Sequence, residues 1–270
     1  MKLSPYLSDW LNLIVRWTHV FTGIMWIGQT YFFTWLDARL GEEEAAIKGS
    51  GAKAQLWMVH SGGFYVVEKQ KAAALSRKLH WFRYEALLTW LSGIVMLILV
   101  YYMSSVLVEP DGPVSHRTGI LIGVGLLIVG WVVYDLLCMT PLVKHELAFA
   151  ALCYLLVVGV AYELTHYLSG RAAYLHVGAM FGTIMAANVW MRILPAQSKM
   201  IAAMREGKAV DENLATRAKL RSKHNTFIVV PLIFTMLSNH FLVATNGYHW
   251  TVLAGLILAG WIAAKFIRRA

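Results

Sequence analysis

The sequence predicts an all-α membrane helix bundle of about seven transmembrane helices, and two observations support this fold class. Hydrophobic residues make up 58% of the 270 residues and charged residues only 14%, whereas about a quarter of a soluble domain is charged. The apolar residues are also gathered into runs close to the roughly 20 that a helix needs to cross a hydrocarbon core. Because an open strand has no backbone partners in lipid, we expect these runs to be helices.

The elements follow in order along one membrane domain that covers residues 1–270. The Ser-Gly-Gly turn and the alternation from Phe64 to Glu68 predict a short β-hairpin at the membrane surface. The segment 195–224 has charges and alanines at helical spacing, which is typical of an amphipathic helix or of a solvated connector. We expect insertions on the cytoplasmic side at about 37–85 and 192–224. The predicted spans are 10–36, 86–103, 118–138, 147–165, 172–193, 226–244 and 249–267.

The distribution of basic residues predicts an external N-terminus and a cytoplasmic C-terminus. Of the 24 lysines and arginines, 20 fall in the two insertions, the 139–146 connection and the tail beyond 264, which seven helices place on one side. The alternate connections hold only Lys2, Arg117 and Arg171. Because cytoplasmic loops of membrane proteins are enriched in Lys and Arg, the net charge of +9 is mostly a topology signal. We expect the lipid bilayer to be a partner and nucleic acid not to be one.

Histidines inside the predicted spans are candidates for haem binding. His19, His176 and His240 fall in the outer half of three different helices. Iron in a b-type haem takes one axial nitrogen from each face, so two histidines at matching depth would suit it. His176 and His240 are the candidate iron ligands, although the pattern leaves the pairing open. A structural hydrogen-bonding role is the alternative. Neither of the two cysteines lies in a CxxCH motif for covalent haem.

Other catalytic chemistries lack their motifs. There is no GxGxxG, P-loop, GxSxG or HExxH sequence. The carboxylates within the spans, Glu85, Asp135 and Glu163, do not form the repeated pattern of a di-iron bundle. Redox chemistry with haem remains by elimination. A non-catalytic b-haem protein for electron transfer or haem handling, and a permease, are the alternatives.

Four segments carry a family resemblance. RWTHVFTGIMWIGQTYFFTWLD (16–37), MVHSGGFYVVEKQ (58–70), LHWFRYEALLTWLSG (79–93) and RSKHNTFIVVPLIFTMLSNHF (221–241) resemble the membrane domain of the bacterial cytochrome-c-linked urate oxidases. The resemblance implies oxidation of urate to 5-hydroxyisourate in the bacterial inner membrane, with electrons passed to cytochrome c. Relatives usually carry a fused cytochrome c domain with CxxCH. This chain has no such motif, and we therefore expect a separate cytochrome c as the acceptor.

The implied substrate suggests which polar residues form its pocket. Urate is an anion with several hydrogen-bonding edges, so its pocket needs donors and an aromatic face. Basic residues here also satisfy the topology pattern, which is the alternative reading for each. The candidates for substrate binding are His60, Arg83, Asn188, Arg192 and Asn225, and those for catalysis are His80, His224 and Glu85, the last as a proton acceptor. If the permease alternative holds, its solute is a purine such as urate.

Overall fold

A computed structural model describes residues 4–48, 53–69, 79–241 and 249–268 of the chain. It is a helix bundle with one small hairpin, so the all-α class is confirmed. The helices are α1 (Pro5–Ala46), α2 (Tyr84–Leu97), α3 (His116–Leu137), α4 (Glu146–Tyr167), α5 (Gly170–Ala187), α6 (Leu194–Arg205), α7 (Glu212–Leu237) and α8 (His249–Ile267). Two π-helical segments, Ile98–Tyr102 and Asn188–Ile193, and two 3-10 turns, Pro141–Lys144 and Ser238–His240, join or extend them.

Within the described residues, five helical stretches are long and apolar enough to cross a membrane: Tyr84–Tyr102, His116–Leu137, Glu146–Tyr167, Gly170–Arg205 and Trp250–Ile267. The chain therefore has the character of a multi-pass membrane protein. Helices α1 and α7 are not among the five, because histidine, glutamine, threonine and lysine side chains lower their mean hydropathy. The predicted number of seven spans and the predicted orientation stay predictions.

Helix α1 begins at a strong local signal and is unusually long. The Ser4 hydroxyl accepts a hydrogen bond from the Leu7 amide, and Pro5 takes the first helical position, where its missing N–H costs nothing. Its 42 residues correspond to about 63 Å at a rise of 1.5 Å per residue. This is about twice the thickness of a hydrocarbon core, so α1 continues well beyond its predicted span at 10–36.

The predicted hairpin is confirmed. Strands β1 (Gln55–His60) and β2 (Gly63–Glu68) pair antiparallel, with Gln55 opposite Glu68 and His60 opposite Gly63. The two residues between them, Ser61 and Gly62, have φ angles of 51° and 78°. Positive φ at both positions is what a tight two-residue hairpin turn requires, because its twist then matches that of the strands.

The segment 195–224 forms two helices rather than one. Helix α6 ends at Arg205, and the chain turns at Gly207, which has a φ of 66° that a glycine adopts without strain. Helix α7 then begins with the Asp211 side chain accepting a hydrogen bond from the Asn213 amide. The hairpin, α6 and the first half of α7 lie near the same end of the bundle, where Asp37 of α1 binds both Lys69 and Lys219. We call it the hairpin end.

Helix α5 lies at the centre of the core. Most of its residues are buried, including His176 and Tyr174, and it packs against α3, α4, α7 and α2. Gly123 of α3 permits the close approach of α5, since a Cβ there would lie 2.6 Å from His176 Nε2. A packed, central α5 means that the polar groups it carries lie between helices and away from lipid.

Candidate functional site

A large cavity lies between α1, α2, α5 and α7 at the end of the bundle opposite the hairpin. Its volume is about 970 Å³, and most of its lining is apolar. Its polar lining includes His19 on α1, His240 on the 3-10 turn after α7, and the basic residues Arg16 and Arg171. Two of the three predicted haem-binding histidines are therefore brought to one cavity. We call it the histidine cavity.

The ring of His19 is held in a defined orientation. Its Nδ1 atom lies 2.8 Å from the carbonyl oxygen of Thr89 and 3.2 Å from Ser92 Oγ. A carbonyl oxygen only accepts, so Nδ1 carries the hydrogen and Nε2 has a free lone pair. Gly93 leaves room for the ring, because a Cβ there would lie 3.0 Å from His19 Cε1. Metal-binding histidines commonly have this arrangement, with one nitrogen held by a carbonyl and the other free.

His176 is placed differently. It is fully buried, its Nδ1 atom lies 2.7 Å from the Ala172 carbonyl oxygen, and its Nε2 atom lies 3.2 Å from the Tyr102 hydroxyl. Both ring nitrogens thus have partners within the protein. His176 is also not among the described residues that line the histidine cavity. The structure therefore does not bring it together with His19 and His240.

A buried ion cluster lies nearer the hairpin end. Asp135 of α3 accepts hydrogen bonds from Arg192 Nε at 2.9 Å and from Arg221 Nη2 at 2.7 Å, and Arg192 also binds its second oxygen. The side chain of Arg221 is 7% exposed and that of Asp135 is 10% exposed, whereas that of Arg192 is 40% exposed. The single carboxylate thus neutralises one buried and one half-exposed guanidinium.

The ion cluster continues into a hydrogen-bonded network. Arg221 Nη1 donates to Asn188 Oδ1 at 3.3 Å, and Asn188 Nδ2 lies 3.1 Å from the Tyr134 hydroxyl and 2.9 Å from Asn225 Oδ1. Asn225 Nδ2 donates in turn to the Met185 carbonyl oxygen. The Tyr134 hydroxyl lies 2.9 Å from His224 Nδ1.

The network unites four of the predicted site residues and shows three that sequence reasoning missed. Those united are Asn188, Arg192, His224 and Asn225, and those missed are Asp135, Arg221 and Tyr134. A carboxylate within a predicted span was the available signal for Asp135, since charges in lipid are paired or functional. The side-chain groups of Asn188 and Asn225 are used by protein partners, so the network stabilises the packing of α3, α5 and α7.

A second set of polar side chains lies between α1, α2 and the π-helical segment Asn188–Ile193. Arg83 Nε, Glu85 Oε2 and Trp190 Nε1 are buried, and none has a hydrogen-bond partner among the described residues. The other oxygen of Glu85 accepts from Gln29 of α1 at 3.2 Å. Trp190 packs together with Trp26 and Trp81 against a small apolar cluster of Ala86, Val189 and Leu194, and Glu85 precedes Ala86 in the chain. The Arg83 guanidinium lies 5.8 Å from the centre of the Trp81 ring. We call this group the tryptophan site.

The π-helical segment Asn188–Ile193 connects the network with the tryptophan site. Asn188 and Arg192 bond to partners on α3 and α7, while Trp190 between them packs against the start of α2. Short π-helical segments inside helices are frequent at functional sites because they change which side chains face a neighbour. Sequence reasoning missed Trp190, for which the only signal was its position between two polar candidates.

The two remaining candidates lie apart from these groups. His60 at the end of β1 and His80 before α2 are both exposed. The His80 ring contacts Phe82, with centroids 4.5 Å apart. Among the described residues, no hydrogen bond joins either histidine to the network or to the tryptophan site.

The comparisons with known proteins gave one result. Residues 5–270 match the protein family described as Urate oxidase N-terminal. No curated protein and no solved structure matched the chain.

Proposed function

The chain belongs to the urate oxidase N-terminal family, and from that premise we propose that it oxidises urate to 5-hydroxyisourate and passes the electrons through b-type haem to a cytochrome c. The family relates the chain to urate-oxidising enzymes and to urate as their substrate. The observation that carries the finer proposal is the set of unpaired polar atoms in the tryptophan site.

The tryptophan site has the chemistry that urate needs. Arg83 Nε and Trp190 Nε1 are donors, Glu85 Oε2 is an acceptor, and each lacks a partner among the described residues. A buried polar group without a partner costs about 1–3 kcal/mol, so a ligand that pairs with such groups is stabilised there. Urate has carbonyl oxygens and N–H groups along its edges, and its planar ring suits tryptophan faces. Arg83 would neutralise its negative charge.

The residues of this site also suit the proton transfers of the reaction. Urate and water give 5-hydroxyisourate, two protons and two electrons. Glu85 is the candidate base, because its free oxygen can accept a proton while Gln29 holds the other oxygen. Asn188 and Arg192 then have a positioning role, since they fix the segment that carries Trp190. Asn225 Oδ1 accepts a hydrogen bond from Asn188, and the Tyr134 hydroxyl links His224 to Asn188. The exposed His60 and His80 stay candidates for guiding urate inward.

The histidine cavity fits a b-type haem. His19 offers a free Nε2 atom, His240 lines the same cavity, and Arg16 and Arg171 provide positive charge for the carboxylates of a haem. We propose that His19 and His240 would hold the haem, in place of the pair His176 and His240 considered from sequence. When bound, haem supplies the electron storage that amino-acid side chains lack.

The test is whether urate reduces the bound haem, which the visible spectrum of the purified full chain supplied with haem measures. Transfer of electrons from the reduced haem to added cytochrome c is measured next. Trp190→Phe keeps a large ring but removes the unpaired N–H, so we expect urate to bind about five- to tenfold more weakly. Trp10→Phe, at an exposed position on α1, is the matched control and should behave as wild type.

The outcomes separate the alternatives. A bound haem that urate does not reduce would indicate a non-catalytic haem protein. Urate uptake by vesicles, without any haem spectrum, would indicate a permease. Unchanged urate affinity in Trp190→Phe would show that urate binds elsewhere in the protein.

A further inference from the structure

A second cavity, of about 400 Å³, is lined by none of the residues that line the histidine cavity or form the tryptophan site. It lies between α3, α4, α5, α7 and α8 and is lined mainly by apolar side chains such as Val157, Met180 and Phe181. Its polar lining is confined to a few groups, including His224 and Trp261. The Glu146 and Lys223 side chains that also line it bind each other at 2.6 Å. We call it the second cavity.

The hydrogen bonds of the network favour the tautomer of His224 that carries its hydrogen on Nε2. The Tyr134 hydroxyl accepts from Asn188 Nδ2 and lies 2.9 Å from His224 Nδ1. Its own hydrogen is satisfied when it donates to Nδ1, which is then the unprotonated nitrogen. The hydrogen of the neutral ring is therefore on Nε2. Stacking of the ring against Phe149, with centroids 5.2 Å apart and planes 19° apart, holds His224 in this orientation.

Trp261 provides a second donor at the same cavity. Its Nε1 atom is buried and has no hydrogen-bond partner among the described residues. A buried N–H without a partner is unfavourable, and the side chain lines the cavity that His224 also lines. Two side chains that carry N–H groups thus line the apolar second cavity. A ligand that matches it has carbonyl acceptors on an otherwise apolar, membrane-soluble body.

We propose that the second cavity binds a membrane quinone, with its carbonyl oxygens accepting hydrogen bonds from Trp261 Nε1 and His224 Nε2. A lipid acyl chain would fill the apolar part but would leave both donors unpaired. Electron transfer to the quinone rests on the proposed function. Urate, water and quinone would give 5-hydroxyisourate and quinol, because the two electrons and two protons released from urate and water convert both carbonyls to hydroxyls.

The experiment measures equilibrium binding of decylubiquinone to the full chain in lipid nanodiscs, without urate. Decylbenzene, which has an alkyl chain but no carbonyl, is the comparison ligand. Trp261→Phe removes one donor and should weaken decylubiquinone binding about five- to tenfold, with no effect on decylbenzene. Trp250→Phe is the control on the same helix, since Trp250 packs against Tyr162 and does not line the second cavity.

The result that overturns the quinone site is equal binding of the two ligands, or an equal response of decylubiquinone to both tryptophan variants. The first indicates an acyl-chain site and the second a site elsewhere. Failure of the proposed function is distinguishable, because the binding measurement needs no urate. If decylubiquinone binds as expected but urate reduces neither haem nor quinone, the site stands and the proposed oxidation of urate fails.

Discussion

Asp135 of α3 and Arg221 of α7 form an ion pair in the bundle interior, with Arg221 Nη2 2.7 Å from Asp135 Oδ1. The two residues are 86 positions apart in the chain. Burying a charge is costly, and removing one partner of a buried pair leaves the other uncompensated. The pair therefore makes the packing of α3 against α7 depend on charge balance.

We expect Asp135→Asn to destabilise the protein strongly, because Arg221 and Arg192 would both lose their anionic partner. Breaking a buried pair costs about 3–5 kcal/mol, which corresponds to a fall of roughly 10 °C in Tm for a chain of this size. Thermal unfolding in detergent measures it. Asp111→Asn, at an exposed position, should change Tm by less than about 2 °C. Equal effects of the two substitutions would contradict a stabilising role for the pair.

Haem binding should depend on the histidines that line the histidine cavity. His19→Ala or His240→Ala should abolish or shift the Soret band of haem-supplied protein, because each removes one histidine that would hold the haem. His176→Ala should keep the band, since both nitrogens of His176 bond within the protein. Visible spectra of the three variants decide between the pairs. Loss of the band in His176→Ala with retention in His19→Ala would favour the pairing with His176, and colourless wild type would contradict haem binding.

Removing the proposed base should affect turnover more than binding. We expect Glu85→Gln to lower kcat for urate by about 10²–10⁴-fold, the usual contribution of a positioned acid or base. KM should change less than kcat, because glutamine keeps the size of the side chain and one acceptor oxygen for urate. Glu163→Gln, at an exposed position on α4, is the control. A Glu85→Gln enzyme with normal kcat would assign the proton transfer to another group.

The predicted orientation is open to chemical labelling. A membrane-impermeant thiol reagent added to intact cells should label a cysteine placed at position 112 and miss cysteines at 48 and 208. The reason is the enrichment of Lys and Arg in the insertions that contain 48 and 208. Labelling after cell lysis shows that each position is reactive. Reaction at 208 in intact cells would reverse the orientation.

The contact of Asp37 with two lysines predicts a pH-dependent stability. Burial alone would raise the pKa of Asp37, but the hydrogen bonds and charges of Lys219 and Lys69 outweigh it and lower the pKa below the usual 3.8. A lowered pKa in the folded state means that the stabilisation is present above about pH 4 and is lost as the pH falls through the folded-state pKa. The Tm difference between wild type and Asp37→Asn should therefore shrink in acid. A difference that stays constant between pH 6 and pH 3 would exclude this linkage.

Local sequence determined much of the architecture, because its causes act over a few residues. Hydropathy predicted the helices, and the alternation after Ser-Gly-Gly predicted the hairpin from turn and strand chemistry alone. The division of 195–224 into α6 and α7 also has local causes, namely the positive φ of Gly207 and the capping by Asp211. The sequence contains both residues, but the helical spacing of charges and alanines on either side of them favoured one continuous helix.

Tertiary structure decided which polar groups meet. The sequence indicated that His19, His176 and His240 are unusual in apolar helices, but only packing placed Tyr102 against His176 and left His19 facing a cavity with His240. Likewise, only the packing of α2 against the π-helical segment Asn188–Ile193 brings Trp190 to the cluster that contains Ala86, the neighbour of Glu85. Helical periodicity specifies the face on which a side chain lies and not the partner across the interface. That partner depends on helix rotation and depth, which contacts between distant segments set.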